Sequence, residues 1–359
     1  MDTSPTSNNI LWYTDSGELW GYTNGSWSKI LDSSSSGAVP AGSNFGGVTD
    51  NSDTSFIVGV TSDDSQLWMY NNNVWVKLTG GLNQPLNVYM LSKGSATSNS
   101  ITIYDSLGNM WFYNGSAWVK IGDGTTPPNP YASTQGGTFY GVSTNNSVIF
   151  TPGPQISSPL WIYNGSSWSQ VSGASISGTP LDVGTIFGIP ANDSLVIRNN
   201  HDAGPSDYDN YSVWTLSGGT WTNMTTGNGS STPKYGWMVY GSNATPSYFF
   251  MSDLQDSSTA NLWEWYNNNW IKKTGEAGGP TNVQFVGGDP TNISFVMIDG
   301  NQQLWTNVNG TWANITSHTD EPVSVDNIYG LVNPDSIVAT HYVGKLEGSD
   351  LWVGKKVGG

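Results

Sequence analysis

Short apolar runs alternate with polar residues along the whole chain, and none is long. ILWYT, FIVGVT, ITIYD, SVIFT, LVIRN, YFFMS, SFVMI and IVATHYV recur at regular intervals. Most are preceded by a second run: NFGGVT, NVYML, TFYGVS, TIFGIP, YGWMVY, NVQFVG and NIYGLV. Period-two alternation bounded by Gly, Asn, Ser and Pro predicts β-strands. No helical periodicity or capping box interrupts it.

Two further strands are predicted after each of these by Trp. Seven times a Trp is followed by another seven positions later: Trp20/Trp27, Trp68/Trp75, Trp111/Trp118, Trp161/Trp168, Trp214/Trp221, Trp263/Trp270 and Trp305/Trp312. The residues between them are turn formers, NG in YNGSAW and YNGSSW, NNN in YNNNVW, SGG in LSGGTW. Asn-Gly suits a two-residue hairpin turn. At Asn114-Gly115 such a turn sets Tyr113 opposite Ser116 and Trp111 opposite Trp118, so the two indoles are expected as a directly opposed cross-strand pair. All fourteen Trp are read as blade packing.

Four antiparallel strands per unit, repeated through the chain, predict a single-domain β-propeller of four-stranded blades over residues 1–359. The strand count favours seven blades. In that scheme the chain starts at a second strand, Ile10 to Tyr13. The run around Asn327–Val332 completes the N-terminal unit by a one-plus-three latch, and residues 336–359 are a surplus hairpin. Eight blades, two of them incomplete, is the alternative.

The repeated LW-x-Y-NG-x-W unit resembles the Trp-rich repeats of β-propeller lectins of the tectonin and tachylectin type. The resemblance implies sugars held in shallow sites between neighbouring blades or on the loop face. No residue-level sugar motif carries over. Asp15-Ser16-Gly17-Glu18-Leu19-Trp20 resembles part of a sialidase Asp-box, but sialidases grip their substrate with three arginines and this chain has Arg198 alone.

Composition narrows the function. Lys plus Arg number 11 against 27 Asp plus Glu, a formal charge of −16 in 359 residues. A backbone-reading nucleic-acid protein needs clustered cations, so that role is excluded, and an anionic membrane surface would repel the chain. No apolar stretch is long enough for a transmembrane helix, and MDTSPTSNN shows no secretory signal. With no Cys there is neither disulfide nor thiolate chemistry. Twelve N-x-[ST] sequons, among them Asn24, Asn114, Asn164 and Asn309, offer glycan acceptors if the chain meets that pathway.

Catalytic signals are poor. His201, His318 and His341 are far apart in sequence, and no nucleophile elbow, zinc motif or phosphate loop occurs. No catalytic residue and no cofactor is expected. The insertion RNNHDAGPSDYDNYS gathers His201, Asp202, Asp207 and Asp209. It reads as a solvated loop, with Asp202, Asp207 and Asp209 as weak candidates for a hard cation. Loops on a rigid scaffold carry function. Tyr131, Tyr208, Tyr211, Asp207, Asp209 and Trp237 are therefore the expected ligand contacts, an aromatic-plus-carboxylate mix that suits sugars. The expectation is an extracellular or surface-exposed, non-catalytic binding module for glycans or glycoproteins. The alternative is a structural subunit of a virion, tail, fibre or surface layer, with other subunits as partners.

Overall fold

The structure is a computed structural model. It describes residues 2–3, 10–13, 18–23, 26–31, 44–49, 55–60, 65–71, 74–93, 101–125, 128, 137–140, 148–152, 159–173, 175–191, 193–199, 211–225, 231–256, 259–275, 279–287, 294–308, 310–316, 327–333, 336–342 and 349–355. Among these residues every regular element is a strand. The fold is a β-propeller type built from antiparallel meanders in which chain order is also strand order. The chain divides into two units, Met1–Gly173 and Ala174–Gly359. The first holds four-stranded sheets over residues 2–31, 44–77, 88–122 and 138–170. The second holds four-stranded sheets over 183–223, 238–272 and 283–314, and a three-stranded sheet over 327–355.

The described strands thus sort into eight sheets. The expected latch between Asn327–Val332 and the N-terminal unit is replaced by other pairings. Asp2–Thr3 pairs with Ile10 and Leu11 and supplies the first strand there. Asn327–Asn333 pairs with Ser336–Tyr342, which pairs in turn with Ser349–Lys355. The physical reason is chain length: only two residues separate Asn333 from Ser336, so this pairing closes at little entropic cost. The two-residue strand Asp2–Thr3 carries no apolar alternation and leaves no signal in the sequence.

Where burial is described, it falls from the middle strands to the last. The second strands Ile101–Asp105 and Val148–Thr151 are buried throughout, on both faces. The fourth strands Trp118–Gly122 and Asn269–Lys272 are largely exposed. The cores lie between neighbouring sheets. Leu67, Met69 and Leu78 of one sheet meet Val88, Ile101 and Ile103 of the next. Phe112 and Ile121 meet Phe139 and Phe150 in the following interface. Phe250 and Leu262 meet Phe295 and Met297 in the second unit.

The hairpin register corrects the expected Trp pairing in all seven copies. Trp111 faces Lys120, and Trp118 faces Tyr113, so the two indoles are offset by two residues. In the first unit Trp20 faces Lys29 while Trp27 faces Tyr22, and Trp68 faces Lys77 while Trp75 faces Tyr70. Trp161/Gln170 with Tyr163/Trp168 completes that set. In the second unit Trp214 faces Asn223 while Trp221 faces Leu216, and Trp263 faces Lys272 while Trp270 faces Trp265. Trp305/Asn314 with Asn307/Trp312 follows the same rule.

At Asn114 and Asn164 the turn is four residues, not two. Asn114 N–H donates to the Ala117 carbonyl (3.2 Å), and Asn114 Oδ1 accepts from Ser116 N–H (3.0 Å), Ser116 Oγ–H (2.9 Å) and Ala117 N–H (2.9 Å). Asn164 repeats this with Ser166 and Ser167. An Asx side chain that satisfies the loop makes the longer turn the better solution. Gly115 and Gly165 both sit at φ 94°, where a Cβ would be strained.

The fourteen Trp are buried to different degrees. Trp263 alone among them is fully buried. Trp27 is 43% exposed, and Trp75, Trp118, Trp168, Trp221, Trp270 and Trp312 are half-buried. The reason is position: these second Trp stand on fourth strands, which end their sheets and pair on one side only. Packing still engages them. Trp270 meets Phe249 edge to face at 5.6 Å between centroids and lies 5.2 Å from Trp265.

Candidate functional site

The second Trp of the pair does two jobs. Its ring packs on the residue it faces, with Tyr113 and Trp118 centroids 5.2 Å apart and Tyr163 and Trp168 5.3 Å apart. Its indole N–H crosses to the preceding sheet. Trp118 Nε1 donates to the Leu78 carbonyl (2.8 Å), Trp168 Nε1 to Ile121 (2.7 Å) and Trp312 Nε1 to Lys273 (3.2 Å). These carbonyls lie at or just past the end of the preceding fourth strand. The indole therefore ties adjacent sheets together while one side of the ring stays partly open.

A cleft opens at the first of these crossings. It has a volume of about 430 Å³ and is lined by residues 76–78, 82–84, 113 and 116–118. Tyr113 and Trp118 form an aromatic wall, and Lys77, Asn83, Gln84 and Ser116 bring polar groups. Burial raises the Tyr113 phenol above its ordinary pKa, so it stays protonated at neutral pH. The opposite side is a loop held by its own hydrogen bonds. Gly80 N–H donates to the Pro85 carbonyl (3.0 Å), and Gly81 N–H to Gln84 Oε1 (2.9 Å). Gln66 anchors it below: its Nε2 donates to the Leu86 carbonyl (3.2 Å) and to Asn87 Oδ1 (3.0 Å), while its Oε1 accepts from Thr79 Oγ1 (2.8 Å). At the tip of this pinned loop Leu82 is 92% exposed.

A second cluster gathers two of the residues expected to touch ligand. Tyr211 and Trp237 meet edge to face with centroids 5.5 Å apart. The chain's sole Arg lies over both rings, 5.0 Å from Tyr211 and 5.9 Å from Trp237. Arg198 Nη1 also donates to the Trp237 carbonyl (2.8 Å). The guanidinium thereby clamps the sheet over residues 183–223 to its successor over 238–272. Partly buried cation–π contacts of this kind contribute roughly 0.5–2 kcal/mol each.

Tyr131, Tyr208, His201, Asp202, Asp207 and Asp209 lie outside the described residues. Trp118, Tyr113 and the Gly80–Asn87 loop were missed as a site, because their residues read in sequence as core and turn. A signal was present: Leu82 and Leu86 are apolar residues in a Gly-, Asn- and Pro-rich turn, where nothing structural asks for them. Among the described residues no three His, Cys, Asp or Glu side chains are grouped as metal ligands would be.

No family model and no curated protein sequence matches the chain. Among solved structures it is similar to the β-propeller BamB from Moraxella catarrhalis, at 10% identity and a TM-score of 0.49, covering 98% of this chain and 95% of that one. It is similar to YCF48 from Cyanidioschyzon merolae at 10% identity and 0.42, covering 82% and 95%. It is also similar to an oligogalacturonate lyase in complex with manganese, at 10% identity and 0.45, covering 89% and 97%.

Proposed function

We propose that this protein is a surface-exposed, non-catalytic β-propeller binding module that recognises glycans or glycoproteins. The observation that carries the reading is the cleft between two sheets, in which the Tyr113 and Trp118 rings stand beside the Asn83 and Gln84 amides and the Ser116 hydroxyl. A sugar ring offers an apolar C–H face and a rim of hydroxyls. An aromatic wall with a few fixed polar groups answers both. The lectin resemblance of the Trp repeat points the same way. Tyr211 and Trp237, expected as further contacts, extend the reading to the second unit, with Arg198 as their companion. Tyr131, Tyr208, Asp207 and Asp209 remain proposed contacts of the loop face. Single sites this shallow bind weakly, and affinity for a surface comes from several engaging together.

The test is a glycan array with the intact protein, followed by titration of each hit against Asn83→Gly and Ser116→Ala. Asn83 sits at φ 59°, so glycine removes the amide without straining the turn. Selective, saturable binding that weakens at least about fivefold in Asn83→Gly supports the reading. Binding untouched by both substitutions moves the site elsewhere, and no binding at all removes the glycan function.

One observation favours a second reading, docking onto another subunit of a surface or virion assembly. Leu82 is a fully presented apolar side chain on a loop pinned at both ends. Sedimentation of the protein with its native particle, lost in Leu82→Ser, would support that role.

A further inference from the structure

We propose that the cleft beside Trp118 takes an anionic sugar, one bearing a carboxylate or a sulfate ester, with Lys77 as its counter-ion. This inference rests on the glycan reading of the same cleft.

The argument begins with charge. The chain carries 27 acidic residues against 11 basic ones. A charged residue of such a chain is more than twice as often acidic as basic. Among the described residues the cleft has a single charged lining residue, Lys77, and no Asp or Glu. The same bias holds along the fourth strands of the sheets. The fourth strands Ser26–Leu31, Val74–Lys77, Trp118–Gly122, Trp168–Gln170, Thr220–Asn223, Asn269–Lys272 and Thr311–Asn314 contain four Lys and no acidic residue.

The lysines are not equivalent, and the differences single out Lys77. All four face the first Trp of their hairpin, at Trp20/Lys29, Trp68/Lys77, Trp111/Lys120 and Trp263/Lys272. Lys29 is neutralised by Glu18. Lys120 and Lys272 lie over Trp111 and Trp263, 5.8 and 6.0 Å from the ring centroids. Lys77 is exposed, makes no ion pair among the described residues, and lines the cleft. Lysines on edge strands also guard against strand pairing. That role needs a charge on the strand, but it does not need the neighbouring cleft to be free of carboxylates.

The chemistry fits one ligand class. A sugar ring on the aromatic wall would carry its anionic substituent toward the Lys77 ammonium, while Asn83, Gln84 and Ser116 meet its hydroxyls. An ammonium is a compact point charge without the planar fork of a guanidinium, so it accepts carboxylate and sulfate alike. A neutral sugar would leave Lys77 without a counter-charge and would gain only the stacking and amide contacts.

The experiment titrates the full chain with three oligosaccharides of equal length: a uronic-acid oligomer, its carboxyl-reduced neutral counterpart, and a sulfated neutral oligomer. Each is measured by calorimetry at low and at about 0.5 M salt, where screening shortens to a few ångströms. Wild type is expected to bind at least one anionic oligomer about tenfold more tightly than the neutral one. The preference should disappear in Lys77→Met, which keeps the aliphatic stem, and largely disappear at high salt. Lys77→Gln serves as a second variant with the same expectation. Equal affinity for anionic and neutral oligomers would overturn the inference and leave the glycan reading standing. So would an anionic preference that survives both Lys77 variants. Failure to bind any of the three, with no array hit, would remove both together.

Discussion

Asp105 shows how much one side chain does in this chain. It is buried, and its carboxylate accepts from Leu107 N–H (3.0 Å), Asn109 N–H (2.9 Å), Asn109 Nδ2 and Trp111 Nε1 (3.0 Å). The carboxylate thus shapes the turn and holds the first Trp of the hairpin. Asp299 repeats the arrangement with Asn301, Gln303 and Trp305. Hydrogen bonds to a charged acceptor contribute about 1.5–3 kcal/mol each, so Asp105→Ala should destabilise its unit by roughly 3 kcal/mol or more, read as a shifted urea midpoint. Trp168→Phe removes the donor to the Ile121 carbonyl and keeps most of the ring, and should cost about 1–3 kcal/mol in the same measurement. Tyr240 gives a pH signature. Its hydroxyl lies between Ser252 Oγ (3.3 Å) and the Gln284 carbonyl (3.4 Å), and burial pushes its pKa up to about 12. The unfolded phenol loses its proton near pH 10 while the folded one keeps it. The stability that Tyr240 supplies is therefore complete below pH 10 and is lost between pH 10 and 12. Urea midpoints at pH 8 and 11 should differ more in wild type than in Tyr240→Phe.

At the scale of the element, the hairpin is half legible in sequence. Alternation and the seven-residue Trp spacing identify two strands and a turn, and both are present. The register departs from what Asn-Gly suggests, because Asn114 Oδ1 spends its lone pairs on a four-residue loop. Trp27, Trp75, Trp221 and Trp270 also face Tyr22, Tyr70, Leu216 and Trp265 rather than their Trp partners, but there the link is two residues long and centred one position past the midpoint of the Trp pair. Gly115→Ala should then cost about 1–2 kcal/mol, the penalty for a Cβ at φ 94°, without changing the register. A recurring hydroxyl escapes the sequence pattern. Four residues after the second Trp, Thr79, Ser172, Thr225, Thr274 and Thr316 accept from the N–H of the residue before the first Trp. Its sequence trace is a lone Ser or Thr in a chain rich in both, so spacing alone could not reveal it. Thr274→Val leaves the Leu262 N–H without that acceptor and should lower stability by about 1–3 kcal/mol, where Thr274→Ser should be close to neutral.

For the molecule as a whole, repetition explains both what could be read and what could not. Within each unit the described cores form between neighbouring sheets, and the same few residue types recur to build them, so the repeat and the fold class are visible in one sequence. The site is what differs between copies. The Gly80–Asn87 loop with Leu82 departs from the repeat only locally, and the cleft exists because Trp118 of one sheet leans on Leu78 just past another. That contact joins residues forty positions apart, beyond the reach of periodicity. The pairing of Asp2–Thr3 with Ile10 and Leu11 was hidden for the opposite reason, since two polar residues carry no pattern at all.

The central claim is that the cleft at Trp118 is where a glycan lies. The most direct measurement is a two-dimensional NMR titration of the indole N–H resonances with an array-selected oligosaccharide. Trp118 should shift progressively and saturably. Trp263, only 1% exposed and not among the residues that line the cleft, should stay in place. A saturable shift of other indoles with Trp118 unmoved would contradict the account and assign the ligand to a different surface.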